Sequence, residues 1–343
     1  MYSFKDDYSE GAHPNILDKL LQTNLTQQLS YGEDEYSKSA KEILKNKISN
    51  QNATIYFVTG GTTANLLVIS SLLKSHEAVI SANSGHIATH EAGAIEATGH
   101  KIIEVKSNDG KLTLLHVKNA LIANDLRPHA VKPKMVYISN STEIGTIYTK
   151  NELEELYAFC KKNDLLLFLD GARLGAALTS KSCGDIALQD IAKNTDVFYI
   201  GGTKNGALLG EAIIFKDNSI APEFDYHLKQ KGALLAKGRL LGIQFLELFR
   251  DDLYFTLAKK ANSHAVKIEK VFKEKGFSFL TDSPTNQIFP ILPKELIKKL
   301  QQKYSFYEWQ PIDDNLTAIR IMTSWTTDET KVDEFIKDVK TFI

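Results

Sequence analysis

The chain has 343 residues, of which 43% are hydrophobic and 24% are charged, and this composition is typical of an ordinary globular enzyme. Its length exceeds the usual size of a single hydrophobic core, so we expect one large domain and a smaller one. The 41 basic and 42 acidic residues give a formal net charge of -1. This balance gives no electrostatic reason to expect nucleic acid or an anionic membrane as a partner, and a small-molecule ligand is expected instead.

The N-terminal segment MYSFKDDYSE carries charges where a signal peptide needs an apolar core, and no apolar run approaches the length that spans a bilayer. We therefore expect a cytoplasmic protein without a membrane partner. The two cysteines, Cys160 in a helical pattern and Cys183 in a loop-like segment, do not indicate a disulfide framework.

The order of the predicted elements indicates an α/β fold. Two helical patterns, HPNILDKLLQTNLTQQL and YGEDEYSKSAKEILKNKI, precede a strand, ATIYFVTGG, that ends at glycines. Short apolar runs such as EAVIS, HKIIEV, PKMVYIS, DLLLFLD, DVFYIGG and EAIIF follow, with helical segments between several of them. Strands that are apolar on both faces and alternate with helices predict a mostly parallel sheet covered on both faces.

From about Tyr226 the pattern changes to long helices, and the chain closes with short strands and an amphipathic helix. This tail predicts a small α+β domain. We place the boundary within the helical run near Leu246, so that residues 1–246 form the large domain and residues 247–343 the small one.

The segment GGTTAN is a candidate anion site. Gly60 and Gly61 end a strand, and Thr62 and Thr63 begin a helix. Free backbone amides and the helix dipole favour an anion at such a position, and glycine lets a phosphate approach closely. A capped helix with nothing bound is the alternative. The segment is not GxGxxG, and GxxxxGK[ST] does not occur, so nucleotide-binding motifs receive no support.

The segment NSGHIATHEAGA contributes two histidines. His86 lies at a loop-to-helix junction, where its flat ring could stack on an aromatic cofactor, and His90 and Glu91 follow about one turn later. Ala94 stands where an HExxH motif would place its second histidine, so a metal site is not predicted. A structural role is the alternative for either histidine.

Three charged residues complete the candidate set. Asp170 ends the apolar strand of LLLFLDGARL, and Lys204 follows the strand of VFYIGGTKNG. A lysine amine can hold the aldehyde of pyridoxal 5'-phosphate (PLP) as a Schiff base, and an aspartate can keep its pyridine nitrogen protonated. Arg320, among apolar neighbours in TAIRIMTSW, requires a carboxylate partner, which is either a substrate or an internal acidic residue. A helix cap and a surface charge are the alternatives for Asp170 and Lys204.

Together, the segments YGEDE, GGTTAN, GHIATHEAGA, LDGARL, GGTKNG and SPTNQIFPIL resemble the PLP-dependent L-threonine aldolase family. This family lies within the fold-type I aspartate aminotransferase superfamily, with the beta-eliminating lyases as relatives, and the resemblance runs nearly end to end. It implies a mostly parallel sheet flanked by helices in a large domain, plus a small α+β C-terminal domain. It also implies a homodimer or homotetramer with the active site between subunits.

The resemblance further implies a role for each matching residue. Lys204 would bind PLP covalently, Asp170 would contact the pyridine nitrogen, and His86 would stack on the ring, with His90 as a further catalytic residue. The residues implied for holding the cofactor, chiefly its phosphate, are Gly61, Thr62, Thr63, Arg173, Thr203 and Arg239, the last reaching the neighbouring subunit's site. Those implied for the substrate and its carboxylate are Asp7, Tyr31, Glu33, Arg173 and Arg320.

Three segments depart from the family pattern. SNSTEIG carries Thr142 and Glu143 where many members have a second active-site histidine, which leaves the identity of the base open. Asp6 stands in place of a serine that helps to hold the substrate carboxylate, while Asp7 keeps its place. LLAKGR retains Arg239 without the usual glycine-rich surroundings.

The leading functional hypothesis is PLP-dependent aldol cleavage of L-threonine or L-allo-threonine to glycine and acetaldehyde, a carbon–carbon lyase reaction. The first alternative is a PLP-dependent beta-eliminating lyase that releases pyruvate and ammonia from serine- or cysteine-like amino acids. The second, from another class, is a non-catalytic binding module with the same fold.

Overall fold

The structure is a computed structural model that describes residues 1–182, 184 and 186–342. Cys183, noted above for its loop-like segment, lies outside the described residues. The helices are α1 (Pro14–Thr23), α2 (Glu35–Lys47), α3 (Gly61–Leu72), α4 (His86–Thr89), a 3-10 turn (Glu96–Thr98), α5 (Leu114–Ala123), α6 (Lys150–Lys162), α7 (Leu174–Leu178), α8 (Leu188–Lys193), α9 (Phe224–Gln230), α10 (Arg239–Arg250), α11 (Leu253–Glu274), α12 (Lys294–Gln301) and α13 (Glu329–Phe342).

The strands alternate with these helices through the first two thirds of the chain. They are β1 (Tyr2–Ser3), β2 (Thr54–Val58), β3 (Glu77–Ala82), β4 (Lys101–Val105), β5 (Lys132–Ser139), β6 (Leu166–Asp170), β7 (Val197–Gly201), β8 (Glu211–Phe215), β9 (Gln287–Ile288), β10 (Ile291–Pro293), β11 (Tyr304–Ser305), β12 (Tyr307–Pro311) and β13 (Leu316–Met322).

In the described part of the chain, seven strands form a central sheet in the order β2-β8-β7-β6-β5-β3-β4. Strands β3 to β7 pair in parallel, and β8 runs antiparallel to β2 and β7. Alternate residues of β5 pack into two different hydrophobic clusters, Val136 and Ile138 into one and Met135 and Tyr137 into the other. The sheet is therefore mostly parallel and covered on both faces, which confirms the predicted fold class.

The sheet topology creates a crevice at the carboxyl ends of its strands. In the sheet, β4 lies on one side of β3 and β5 lies on the other. The direction in which successive strands are added therefore reverses between β3 and β5. Ligands of open α/β sheets bind at such a switch point. Ser139 at the end of β5 pairs in register with Asp170 at the end of β6, which places the candidate aspartate at this edge.

The last third of the chain forms a second body around β9, β10, β12 and β13, with α11, α12 and α13 packed against it. The N-terminus joins this body, because β1 pairs with β11 and Phe4 is buried in its core. Leu246 lies inside α10. The division into residues 1–246 and 247–343 stays a prediction.

Two of the predicted helical runs are shorter than their sequence pattern indicates. The first helix ends at Thr23. The helical run after Tyr226 is interrupted at Gly232, where the φ of 72° is a left-handed backbone conformation that favours glycine. Among the described helices, none combines the length and the apolar character that a membrane crossing requires.

Candidate cofactor and substrate site

Two adjoining cavities lie at the carboxyl edge of the sheet. The first, of about 260 Å³, is lined by these predicted site residues: Gly61, Thr62, His86, Asp170, Arg173, Thr203 and Lys204. The second, of about 290 Å³, adds His90 and Arg320. The residues common to both linings are Tyr8, His86, Glu143, Arg173 and Lys204. The fold thus brings together side chains that are far apart in sequence, and the shared residues mark the junction of the two cavities.

Asp170 is buried at the floor of the first cavity and its carboxylate accepts four hydrogen bonds. Tyr199 donates at 2.5 Å and the Ala172 amide at 3.0 Å to Oδ1, while Tyr137 donates at 2.5 Å and Asn65 at 3.2 Å to Oδ2. Burial, together with the Asp170 charge, raises the pKa of both tyrosines well above its usual value, so both hydroxyls remain donors. These bonds hold the carboxylate in one orientation.

A hydrogen-bonded chain links Asp170 to His86. Asn65 donates to both Asp170 and Glu91, at 3.2 and 2.6 Å, and Nδ1 of His86 donates to the same Glu91 oxygen at 2.7 Å. The buried Glu91 therefore fixes the ring of His86 and leaves Nε2 for the cavity side. The ring of His90 lies 5.7 Å from that of His86 at an angle of 22°, and burial, with the neighbouring His86, lowers the pKa of His90.

Lys204 lies at the junction of the two cavities, with its ammonium 5.8 Å from the centre of the Tyr8 ring. Burial lowers the pKa of Lys204, and the nearby Arg173 guanidinium lowers it further, against the opposing charges of Asp7 and Asp170. An amine with a depressed pKa is more readily available as a nucleophile. Burial and Asp6 raise the pKa of Tyr8 to about 12.

The part of the first cavity formed by the start of α3 is suited to accept an anion. Helix α3 begins at Gly61 with Gly60 before it, so the first backbone amides have no capping side chain, and Thr62 and Thr63 occupy the first turn. A side-chain carbon at Gly61 would lie 3.0 Å from the Tyr199 hydroxyl, so glycine keeps this space open.

Thr203 lines the same cavity. Its hydroxyl donates to Glu211 at 2.9 Å and accepts from the Gly210 amide at 2.9 Å. Glu211 also accepts from the Gly202 amide at 3.1 Å, and burial raises the pKa of Glu211 to about 8. The cavity thus places a weakly acidic carboxyl group beside its anion-binding end.

Arg173 has an internal carboxylate partner. Its Nε and Nη2 donate to the two oxygens of Asp7 at 2.8 and 3.0 Å, and Asn286 donates to Asp7 at 2.9 Å. Burial opposes the charge of Asp7, but Arg173 and Lys204 outweigh it and hold the pKa of Asp7 below its usual value. Asp7 therefore positions Arg173 at the junction of the cavities.

Arg320 closes the far end of the second cavity. Its guanidinium carbon lies 4.9 Å from the centre of the Tyr307 ring and 5.0 Å from that of Trp309, and Nη2 donates to the Lys5 carbonyl at 3.3 Å. Oδ1 of Asp6 lies 3.6 Å from Nη2 of Arg320. Nε of Arg320 is buried and has no hydrogen-bond partner among the described residues. An oriented guanidinium with an unpartnered donor is suited to a ligand carboxylate.

Three predicted residues lie elsewhere in the single chain. Arg239 donates to the carbonyls of Thr23 and Thr26. Tyr31 packs under Lys229, whose ammonium is 4.8 Å from its ring, and Glu33 lies 3.7 Å from Lys38 on the surface. The expectations that Arg239 reaches a neighbouring subunit's site and that Tyr31 and Glu33 bind the substrate stay predictions.

Several residues at the site were missed by the sequence interpretation: Tyr8, Asn65, Tyr137, Tyr199 and Glu211. A signal was present for the two buried tyrosines, because a tyrosine in a strand covered on both faces requires a partner for its hydroxyl. The polar Glu211 at the start of the apolar run EAIIF is a similar signal.

The donor set of the first cavity fits PLP. A lysine with a lowered pKa, a fixed carboxylate, a flat imidazole ring and an open helix N-terminus match the aldehyde, the pyridine nitrogen, the ring face and the phosphate. A family model described as beta-eliminating lyase matches residues 6–292. The chain belongs to this family.

Relatives of known identity place the chain more closely within the beta-eliminating lyase family. It is 32% identical to the low specificity L-threonine aldolase of Pseudomonas aeruginosa, over 98% of this chain and 96% of the relative. The solved structure of Leishmania major threonine aldolase is 44% identical, covers 99% of both chains and superposes with a TM-score of 0.97. Serine palmitoyltransferase of Sphingomonas wittichii, 13% identical with a TM-score of 0.73 over 99% of this chain and 86% of that one, shows the fold alone.

These matches confirm the threonine aldolase resemblance drawn from the sequence. The PLP fold-type I architecture, PLP as the cofactor and the carbon–carbon lyase class are confirmed with it.

Proposed function

We propose that this beta-eliminating lyase family member cleaves L-threonine or L-allo-threonine to glycine and acetaldehyde. The observation that carries the proposal is the junction of the two cavities, where Lys204 lines both the cavity that contains Asp170 and the cavity that contains Arg320. A cofactor in the first cavity and an amino acid in the second would meet at this lysine. The activity of the similar aldolases supports the same reaction.

PLP supplies an electron sink that accepts the bonding pair of the bond broken at the substrate α carbon. In the proposal, Lys204 would hold the cofactor, Asp170 would contact the pyridine nitrogen and His86 would cover the ring. The open amides at the start of α3, with Thr62 and Thr203, would hold the phosphate. Asp170 is buried, which strengthens its electrostatic interactions.

The second cavity would bind and orient the amino acid. Arg320 would take the substrate carboxylate, with its guanidinium held in place by the rings of Tyr307 and Trp309. Arg173, fixed by Asp7, adds positive charge at the junction. A substrate carboxylate anchored at Arg320 would place the rest of the amino acid toward Lys204, His86 and His90. This orientation would determine which bond of the substrate breaks.

The test is a comparison of products. Protein loaded with PLP is incubated with L-threonine, L-allo-threonine and L-serine, and acetaldehyde, glycine and pyruvate are measured. We expect acetaldehyde and glycine in equal amounts from at least one threonine diastereomer, and no turnover by Lys204→Ala. Pyruvate without acetaldehyde would instead support beta-elimination, and no turnover of any of these substrates would support a non-catalytic binding module.

We also propose a cytoplasmic homodimer or homotetramer whose active sites lie between subunits. The support is an exposed apolar stripe on and after α1, where the exposed fractions of Leu21, Leu25 and Leu29 are 78%, 93% and 67%. Leucines exposed to this degree in one segment are typical of a surface that is covered by another chain. Arg239 contacts the backbone of this same segment at Thr23 and Thr26.

A further inference from the structure

We infer that Glu143 is the catalytic base that accepts the proton of the substrate β-hydroxyl group. The inference rests on the proposed aldol cleavage and names the group that the sequence left open between Thr142 and Glu143. Its basis is the position of the Glu143 carboxylate, which lines both cavities at their junction.

The two candidates, which lie near the start of the loop after β5, have different surroundings. The Thr142 hydroxyl lies 2.7 Å from that of Thr146 and accepts a hydrogen bond from the Thr146 amide at 3.1 Å. Its side chain is therefore engaged within its own loop. Glu143, one residue later, faces the cavities together with His86, Arg173 and Lys204. The structure thus separates two neighbours that the sequence could not.

The other residues at the junction are less suited to accept a proton. Tyr8 remains protonated, because burial and Asp6 raise its pKa to about 12. Arg173 is ion-paired with Asp7, and Lys204 is assigned to the cofactor. His86 uses Nδ1 to reach Glu91 and its ring is assigned to stacking. Among the residues that line both cavities, Glu143 supplies a carboxylate to which no other role has been assigned.

The Glu143 carboxylate is held in a fixed orientation. One of its oxygens, Oε1, accepts from the Ser139 hydroxyl at 2.7 Å and from the His86 backbone amide at 2.9 Å. Burial raises the pKa of Glu143, and the hydrogen bond from Ser139 limits the rise. A carboxylate whose pKa is moved toward neutrality is a stronger base than an exposed one, which suits it to proton abstraction.

Several charged or titratable groups surround Glu143, and the charge of Asp170 among them raises its pKa. They are Tyr137 of β5, Asp170 and Arg173 at the end of β6, Tyr148 after β5, His86 and His90 of α4 and the segment after it, Tyr8 of the N-terminal segment, and Lys204 after β7.

The proton and electron balance of the step is complete. The O–H bond of the β-hydroxyl group breaks, its proton passes to Glu143, and its electron pair forms the second bond of the aldehyde C=O. The bond between the α and β carbons would break at the same time, and the electron sink that bound PLP would supply would hold its pair until that pair forms the new C–H bond of glycine. Return of one proton to the α carbon gives glycine, so the proton count is unchanged after a full turnover.

Glu143→Gln in the PLP-loaded protein is the direct test. We expect kcat for threonine cleavage to fall by about 10²- to 10⁴-fold, because the amide cannot accept the proton. The visible absorbance band of bound PLP and the dissociation constant for glycine, which has no β-hydroxyl group, should stay within about threefold of the wild type. Retention of wild-type kcat would overturn the inference and leave the proposed function standing. Absence of acetaldehyde from the wild type would overturn the proposed function itself.

Ser139→Ala gives a second test that does not remove the carboxylate. The variant loses a hydrogen bond that lowers the pKa of Glu143, so the acid limb of the kcat/KM profile should move to higher pH. An acid limb of the kcat/KM profile that stays at the wild-type pH would contradict the inference. This test remains valid if Glu143→Gln folds poorly. His90→Asn is the matched control at the other possible base of the second cavity. If His90→Asn lowers kcat as far as is expected for Glu143→Gln, while Glu143→Gln leaves kcat unchanged, His90 is the base and the inference is overturned.

Discussion

Replacement of Tyr199 by phenylalanine measures how strongly the site holds the Asp170 carboxylate. The variant keeps the ring in the core and removes one hydroxyl that donates to a buried, charged acceptor at 2.5 Å. Hydrogen bonds to charged groups contribute about 1.5–3 kcal/mol, and the Ala172 amide at 3.0 Å still satisfies Oδ1 after the loss. We therefore expect the free energy of unfolding to fall by about 2 kcal/mol.

The assay is urea denaturation of the purified protein, followed by circular dichroism. Tyr304→Phe is the matched control, because Tyr304 is also buried but donates to Asp338, whose side chain is 17% exposed and accessible to water. We expect a loss of about 1 kcal/mol or less there. Tyr137→Phe combined with Tyr199→Phe should be non-additive, because both hydroxyls donate to the same carboxylate. Equal losses for Tyr199→Phe and Tyr304→Phe, with an additive double variant, would refute the reasoning.

Three further predictions concern other parts of the molecule. Burial raises the folded-state pKa of Glu211 to about 8, above an unfolded value of roughly 4.3, so wild-type stability should decline as pH rises through this window. Urea midpoints measured at pH 5 and pH 9 should fall less between these pH values for Glu211→Gln than for the wild type. An equal fall in both proteins would contradict this prediction. Arg320→Lys should raise KM for threonine by about 10- to 100-fold with a smaller change in kcat, since the rings of Tyr307 and Trp309 orient a planar guanidinium; an unchanged KM would exclude Arg320 from carboxylate binding. Leu21→Glu should shift the light-scattering mass toward the monomer, and an unchanged mass would contradict the proposed interface.

The sequence predicted the parts of the molecule that depend on local pattern. Apolar strands with helices between them identified the parallel sheet, and the strand ends placed Asp170 and Lys204 at its carboxyl edge. Parallel strands present their carboxyl ends at the same edge of the sheet. The proximity of residues that follow different strands can therefore be predicted from the strand assignments alone. The helix start at Gly61 follows from local pattern in the same way.

Pairings between distant segments were not predictable in this way. Asp7 and Arg173 form a bidentate ion pair across 166 residues, and no local pattern signals which carboxylate the arginine meets. The division of roles between Thr142 and Glu143 depends on the loop conformation that turns Thr142 toward Thr146. These features are decided by tertiary packing, and they determine how the candidate substrate end of the site is built.

The placement of the cofactor at Lys204 is the central claim, and one measurement tests it most directly. Protein incubated with PLP is reduced with borohydride, digested, and mapped by mass spectrometry for the lysine that carries the cofactor. We predict a single modified peptide containing Lys204, a visible absorbance band that disappears on reduction, and neither signal in Lys204→Ala. A label on another lysine, or a protein that stays colourless with PLP, would contradict the account.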